Sequence, residues 1–151
     1  MDRASDAADR LDVLDLVHRY FRCLDARDRA GLAACVTEDV EASHTLAGAQ
    51  RGAEAFLNLA LAELPGLVCF QHYCTNEEVT VEGDGARCRS YIYAQHSVRT
   101  DSGPALLAGG GRYVHECVRG AEGWRIARIS VDVTWLAPGL EAVYGPPPAK
   151  P

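Results

Sequence analysis

The sequence predicts an α+β fold: helices in the first half, then long antiparallel strands curving around them. Three observations carry this expectation. Apolar residues recur at helical spacing between Asp9 and Ala26. From Leu67 onward the pattern changes to long runs that alternate with a period of two and are rich in β-branched and aromatic residues. Gly83-Asp84-Gly85 and Gly120-Ala121-Glu122-Gly123 separate those runs as hairpin turns. A sheet bent over one long helix leaves a conical pocket walled by strand faces, so chemistry is to be sought on strand residues of inward parity.

In the first helix, Asp9 to Ala26, the expected apolar stripe is Leu11, Leu14, Val17, Phe21 and Leu24. Asp25 is the exception among the polar residues. It lies four after Phe21 and eleven after Leu14, on or beside the buried stripe. An ionised carboxylate there needs a partner; alternatively, Asp25 ties down the turn Ala26-Arg27-Asp28. Asp28 reads as the N-cap of a short second helix, Arg29 to Cys35. Val40 to Leu46 reads as a short strand carrying His44, and Gly48 to Gly52 as a turn. Ala53 to Leu64 reads as a third helix, ended by Pro65-Gly66.

The expected strands are Leu67 to Thr75, Glu78 to Glu82, Ala86 to Val98, Leu106 to Arg119 and Trp124 to Trp135. Ile92, Ala94, His96 and Val98 share one face of their strand, and Tyr91, Tyr93, Gln95 and Ser97 the other. His96 therefore stands among small and apolar neighbours, as a quiet core residue or as an acid/base facing a cavity. Gln71 faces away from the side taken by His72. Gly109-Gly110-Gly111 allows a bulge or sharp bend, and without a strand-to-helix context it is no phosphate loop. One domain over residues 1–138 is expected, followed by an extended Pro-rich tail over 139–151.

With 151 residues, 48% hydrophobic and 24% charged, the chain has the composition of a soluble globular domain with a substantial core. A net charge of −6 argues against nucleic acid as a partner, and no apolar run reaches the length of a membrane span. The charged N-terminus lacks a signal-peptide core, so a cytoplasmic protein with reduced cysteines is expected. The six cysteines contain no CxxC pair, and the histidines no HxH or HExxH, which gives a metal site little support. No cofactor is expected.

The helix end Tyr20-Phe21-Arg22-Cys23-Leu24-Asp25-Ala26-Arg27-Asp28, the Gln71-His72 strand, Gly83-Asp84, Gly111-Arg112-Tyr113, Gly123-Trp124-Arg125-Ile126 and Trp135 together carry a resemblance. From Leu11 to Trp135 the chain resembles the NTF2-like superfamily, in particular its SnoaL-like and scytalone-dehydratase-like members. The resemblance implies a cone of N-terminal helices in a curved sheet, which often pairs with another copy as a homo-oligomer. It places the family's catalytic aspartate on Asp25 and its two catalytic histidines on His72 and His96, with the aspartate paired to His96. The sequence departs from the dehydratase pattern at Leu24, which replaces a tyrosine. It departs again at His44, where an orienting tyrosine stands, and near Tyr113, where an asparagine does.

Elimination of a hydroxyl β to a carbonyl needs a base, an acid and a donor for the developing enolate. Asp25, His72 and His96 are the expected acid–base set; His44, Tyr73, Tyr113 and Trp135 are the expected substrate contacts. The expected activity is dehydration of a carbonyl-activated small molecule such as a polyketide or other secondary metabolite. Isomerisation or cyclisation by the same residues, and a non-catalytic binding or assembly role, remain alternatives.

Overall fold

The computed structural model describes residues 3–64 and 66–139. Its elements run α1 (Arg3–Asp25), α2 (Arg29–Cys35), β1 (Val36–His44), β2 (Gly48–Arg51), α3 (Ala53–Ala60), β3 (Leu67–Glu82), β4 (Gly85–Thr100), β5 (Gly103–Gly120) and β6 (Gly123–Leu136). The strands form one six-stranded sheet in the order β2-β1-β6-β5-β4-β3. Among the described residues only the β1–β6 pair is parallel, so the sheet is mixed. Three helices against this open, curved sheet give the expected α+β cone.

The core lies between α1 and the inner sheet face. The buried stripe of α1 is Val13, Leu16, Val17, Tyr20, Phe21 and Leu24. This is one step round the helix from the expected stripe: Leu11 is 62% exposed, and Leu14 only flanks the core. The sheet answers with Val79, Cys88, Ile92, Tyr113, His115, Cys117, Ile126 and Ile129. Alternation along β4 follows the expected parity, with Ile92, Ala94, His96 and Val98 buried. Burial of these apolar surfaces, worth about 25 cal/mol per Å², is the main force holding α1 in the cone.

Local chemistry sets the remaining elements. The Asp28 carboxylate accepts from the Gly31 N–H at 3.0 Å, capping α2 as expected. Residues expected as a turn, Gly48 to Arg51, form strand β2 instead, because the chain folds back along β1 with Glu41 opposite Arg51 and the two side chains ion-paired at 3.1 Å. Helix α3 ends at Ala60, not Leu64. Beyond it the Arg27 guanidinium takes the Leu61 carbonyl at 2.5 Å and reaches the Ala62 carbonyl at 3.4 Å. The two short strands expected between Leu67 and Glu82 are one strand, β3, interrupted at Asn76, whose φ of 57° matches a register shift between Thr75 and Glu78. Gly110 and Gly111 mark another shift, between β5 and β6. All six cysteines are free, and Cys35, Cys88 and Cys117 are buried core residues. Of the expected tail, residues 140–151 lie outside the described residues. No described helix is long and apolar enough to cross a membrane.

Candidate active site

The C-terminus of α1 meets the edge of the sheet at β3. Edge position matters here, because β3 bonds to β4 on one side only and its outward backbone groups need other partners. Asp25 supplies one. Its Oδ2 accepts the backbone N–H of His72 at 3.0 Å, and its Oδ1 lies 2.7 Å from Nδ1 of the same histidine. The expected pairing of Asp25 with His96 is therefore corrected: the aspartate binds His72. The reason is topological. His96 lies on β4, one strand further from α1 and opposite Phe70, whose ring lies 5.3 Å from that of His72 and 6.3 Å from that of His96.

An ionised carboxylate only accepts hydrogen bonds, so the neutral His72 ring paired with it carries its proton on Nδ1 and keeps a lone pair on Nε2. Histidine 44 holds the opposite tautomer. Its Nδ1 accepts the Leu46 N–H at 3.1 Å, which leaves Nε2–H as a donor. Burial holds His44 below the ordinary imidazole range, and the neighbouring His72 adds to the shift. His96, 5% exposed, is also lowered by burial and by His72, an effect opposed by the backbone of Ala94 and Leu107. Near neutral pH both are uncharged rings.

These three histidines border an apolar cavity with two lobes. The larger, about 260 Å³, lies between the sheet and residues from Phe56 to Leu64, with Tyr20, Leu24 and Phe70 on its walls. The smaller, about 70 Å³, lies under Ile92, Ala94, His96, Gly109 and Gly110. His44, Leu46, His72, Tyr113 and Val131 border both lobes and form the neck between them. Asp25 does not line either lobe. It sits behind His72 and faces a separate cleft with Arg27, Glu63 and Cys69. Among the described residues, no Lys or Arg lines either lobe.

Two of the expected substrate contacts point elsewhere. Tyr73 is 48% exposed and Trp135 47% exposed, on the outer face of the sheet, where both rings lie 6.0 Å from that of Tyr93. Period-two parity explains Tyr73, which follows an inward His72 and must face out. Trp135 covers Gly110 from outside, in the space that a side chain there would fill. His44 and Tyr113 do line the cavity. Sequence reasoning missed Tyr20, Phe70 and Ala94 as wall residues. The parity of Ala94 with His96 and of Phe70 with His72 was the available signal.

His115 is a core residue, 0% exposed, with both ring nitrogens unpartnered and the rings of Tyr20, Phe21 and Tyr113 within 5.7 Å. Burial pushes it down to about 3, so it stays neutral. Among the described residues no group of three or more His, Cys, Asp or Glu side chains is arranged to hold a metal ion.

A helix-filled cone whose mixed sheet walls an apolar cavity, with a carboxylate–imidazole pair at the cavity neck, defines a protein of the NTF2-like class. Residues 5–130 match the model of the SnoaL-like domain, and the chain belongs to that family. No curated protein matches it. Among solved structures it is similar to a Novosphingobium aromaticivorans protein provisionally named an aromatic ring hydroxylase, with 26% identity over 90% of this chain and 96% of that one, at a TM-score of 0.76. A type-3 hexachlorocyclohexane dehydrochlorinase from Novosphingobium barchaimii shares 21% identity over 97% of this chain and 100% of its own, at a TM-score of 0.78. A provisional scytalone dehydratase from Novosphingobium aromaticivorans shares 18% over 99% and 100%, also at 0.78. The last two likenesses establish the fold alone. Structures of this fold thus include proteins named as enzymes.

Proposed function

We propose that the protein is a lyase that eliminates water from a hydroxylated, carbonyl-activated small molecule, with His72 as its base. The single observation that carries this reading is the 2.7 Å contact of Asp25 with Nδ1 of His72, which turns the Nε2 lone pair of the neutral ring toward the neck of an apolar cavity. His72 takes the proton α to the carbonyl, and the imidazolium so formed is stabilised by the Asp25 carboxylate. The Nε2–H of His44 donates a hydrogen bond to the carbonyl oxygen as it gains charge; a neutral ring suffices for this, since it need not release its proton. His72 then returns the proton to the departing hydroxyl, the C–O bond breaks, and the products are an enone and water. The step balances without an oxidant or a reductant. Acid–base help of this kind contributes roughly 10²–10⁴-fold in rate.

In this scheme His96 becomes a wall residue, and the part first expected of it passes to His72. Because His72 is the cavity-lining imidazole paired with a carboxylate, the same base and donor also serve a double-bond isomerisation, in which a proton moves and no water leaves.

The aldol adduct of benzaldehyde and acetone, an uncharged β-hydroxy ketone, is a direct probe. Enone formation, followed by ultraviolet absorbance, is expected with the wild type and should fall at least about a hundredfold in folded His72→Ala. Undiminished activity in that variant would refute the assignment of the base. Rearranged ketone without loss of water from an unsaturated analogue would favour the isomerase.

A further inference from the structure

The glycine run at 109–111 has no part in the scheme above, yet it shapes the cavity. On the inner face, Ala94 stands opposite His72 on one side and opposite Gly109 on the other. Next along the same face, Ile92 stands opposite Gly111. Cross-strand neighbours lie about 5 Å apart, so a row that reads imidazole, methyl, hydrogen leaves a hollow beside the imidazole. That hollow is the small lobe. The glycines cannot be filled from the other side either. Trp135 occupies the outer space over Gly110, and the β6 backbone at Asp132 and Val133 presses on Gly111.

Among the described residues, no Lys, Arg, Asp or Glu side chain lines the lobe. Its polar boundary is His44 and His72 at the neck and the buried, neutral His96 beyond, with Ile92, Val133 and Leu136 completing the wall. At about 70 Å³ it is roughly half the size of a ~150 Å³ cavity that holds benzene, which leaves room for a few heavy atoms. A carboxylate or phosphate placed there would meet no Lys or Arg among the described residues, and the Asp25 carboxylate lies just behind His72, so the burial cost would stand uncompensated.

We infer that the small lobe is a subsite for the compact, uncharged acyl end of the substrate, and that Ala94 sets its size. This rests on the elimination reading for the direction of the substrate. The carbonyl lies at the neck against His44, its alkyl group enters the small lobe, and the carbinol carbon with its larger substituent stays in the large lobe. The substrate class is then narrower than a β-hydroxy carbonyl compound in general: a neutral methyl or similarly small ketone. Free β-hydroxy acids are excluded, and so are ketones branched beside the carbonyl.

Binding of unreactive ketones tests the lobe separately from the chemistry. Benzylacetone and its counterpart with a tert-butyl group in place of the ketone methyl are titrated calorimetrically against the wild type, Ala94→Val and Ala94→Gly. Wild type should bind benzylacetone at least about tenfold more tightly than the tert-butyl ketone. Ala94→Val, which fills the hollow, should weaken benzylacetone by about tenfold, and Ala94→Gly should bring the two ketones within about threefold of each other. The glycine variant removes atoms, so the test survives if the valine variant fails to fold.

Equal binding of the two ketones by wild type, no binding of benzylacetone, or an unchanged preference in Ala94→Gly would each overturn the inference. Turnover of the aldol adduct reports on elimination alone. Selective ketone binding without turnover would remove the lyase and leave the subsite; turnover with indifferent ketone binding would do the reverse.

Discussion

Replacing Asp25 by asparagine separates the electrostatic role of the carboxylate from its structural one. The carboxylate receives two hydrogen bonds from one residue, at 2.7 Å from the ring and 3.0 Å from the backbone of His72. An asparagine has one acceptor oxygen and one donor NH2. The backbone N–H can only donate, so the oxygen must turn to it and the NH2 must face Nδ1. Nδ1 is then an acceptor, the ring proton moves to Nε2, and the lone pair leaves the cavity. The base is lost with both hydrogen bonds still formed. Turnover of the aldol adduct should fall by roughly 10³–10⁴-fold, as expected for a wrong tautomer, with little change in ketone affinity. Stability should change by less than about 1.5 kcal/mol, because no partner is left unsatisfied. Asp25→Ala should cost more, about 1–3 kcal/mol, since it strands the His72 N–H. Steady-state kinetics, thermal melting and nitrogen NMR of the His72 ring read the three consequences. An asparagine variant within about threefold of wild-type kcat, with His72 still protonated on Nδ1, would refute the reasoning.

Other outcomes follow from the same contacts. His115 is neutral and buried, pushed down to about 3 from an ordinary 6.5, so the unfolded chain binds its proton first. Its stability contribution is complete above pH 6.5 and declines as pH falls toward 3, by about 2 kcal/mol at pH 5. Melting curves of His115→Phe should therefore show a flatter acid limb than wild type; parallel limbs would contradict the burial argument. Gly111→Ala would bring a Cβ against the Asp132 carbonyl and to 2.9 Å from the Val133 Cα. It should destabilise by about 1–3 kcal/mol in urea unfolding, and a variant of wild-type stability would show that β6 yields there. Arg27→Ala frees the Leu61 and Ala62 carbonyls, so hydrogen exchange should quicken over residues 61–64 and KM rise more than kcat falls. Unchanged exchange would mean that the Arg27 contacts do not hold that wall.

Much of this architecture is legible in the sequence, because it follows from local pattern. The helices of the first half, the N-cap at Asp28, the hairpins at Gly83-Asp84 and Gly120 to Gly123, and the inward parity of Ala94 and His96 are short-range consequences of periodicity and turn chemistry. Asp25 also stood out, as a carboxylate beside an apolar stripe that needed a partner. The sequence does not name that partner. His72 and His96 share the inner face and are chemically alike, and only the strand order, with β3 at the edge beside the end of α1, gives His72 to Asp25. The same holds for the phase of the α1 stripe. Leu11 fits the spacing but faces solvent, because the docking angle of the helix on the sheet, a long-range packing matter, selects the buried face. Trp135 and Tyr73 mark the other limit: aromatic side chains near a cavity in sequence pattern lie outside it once register fixes which face they take. Period and capping act over a few residues and are written in the chain; pairing between elements is decided by how the sheet and helices meet.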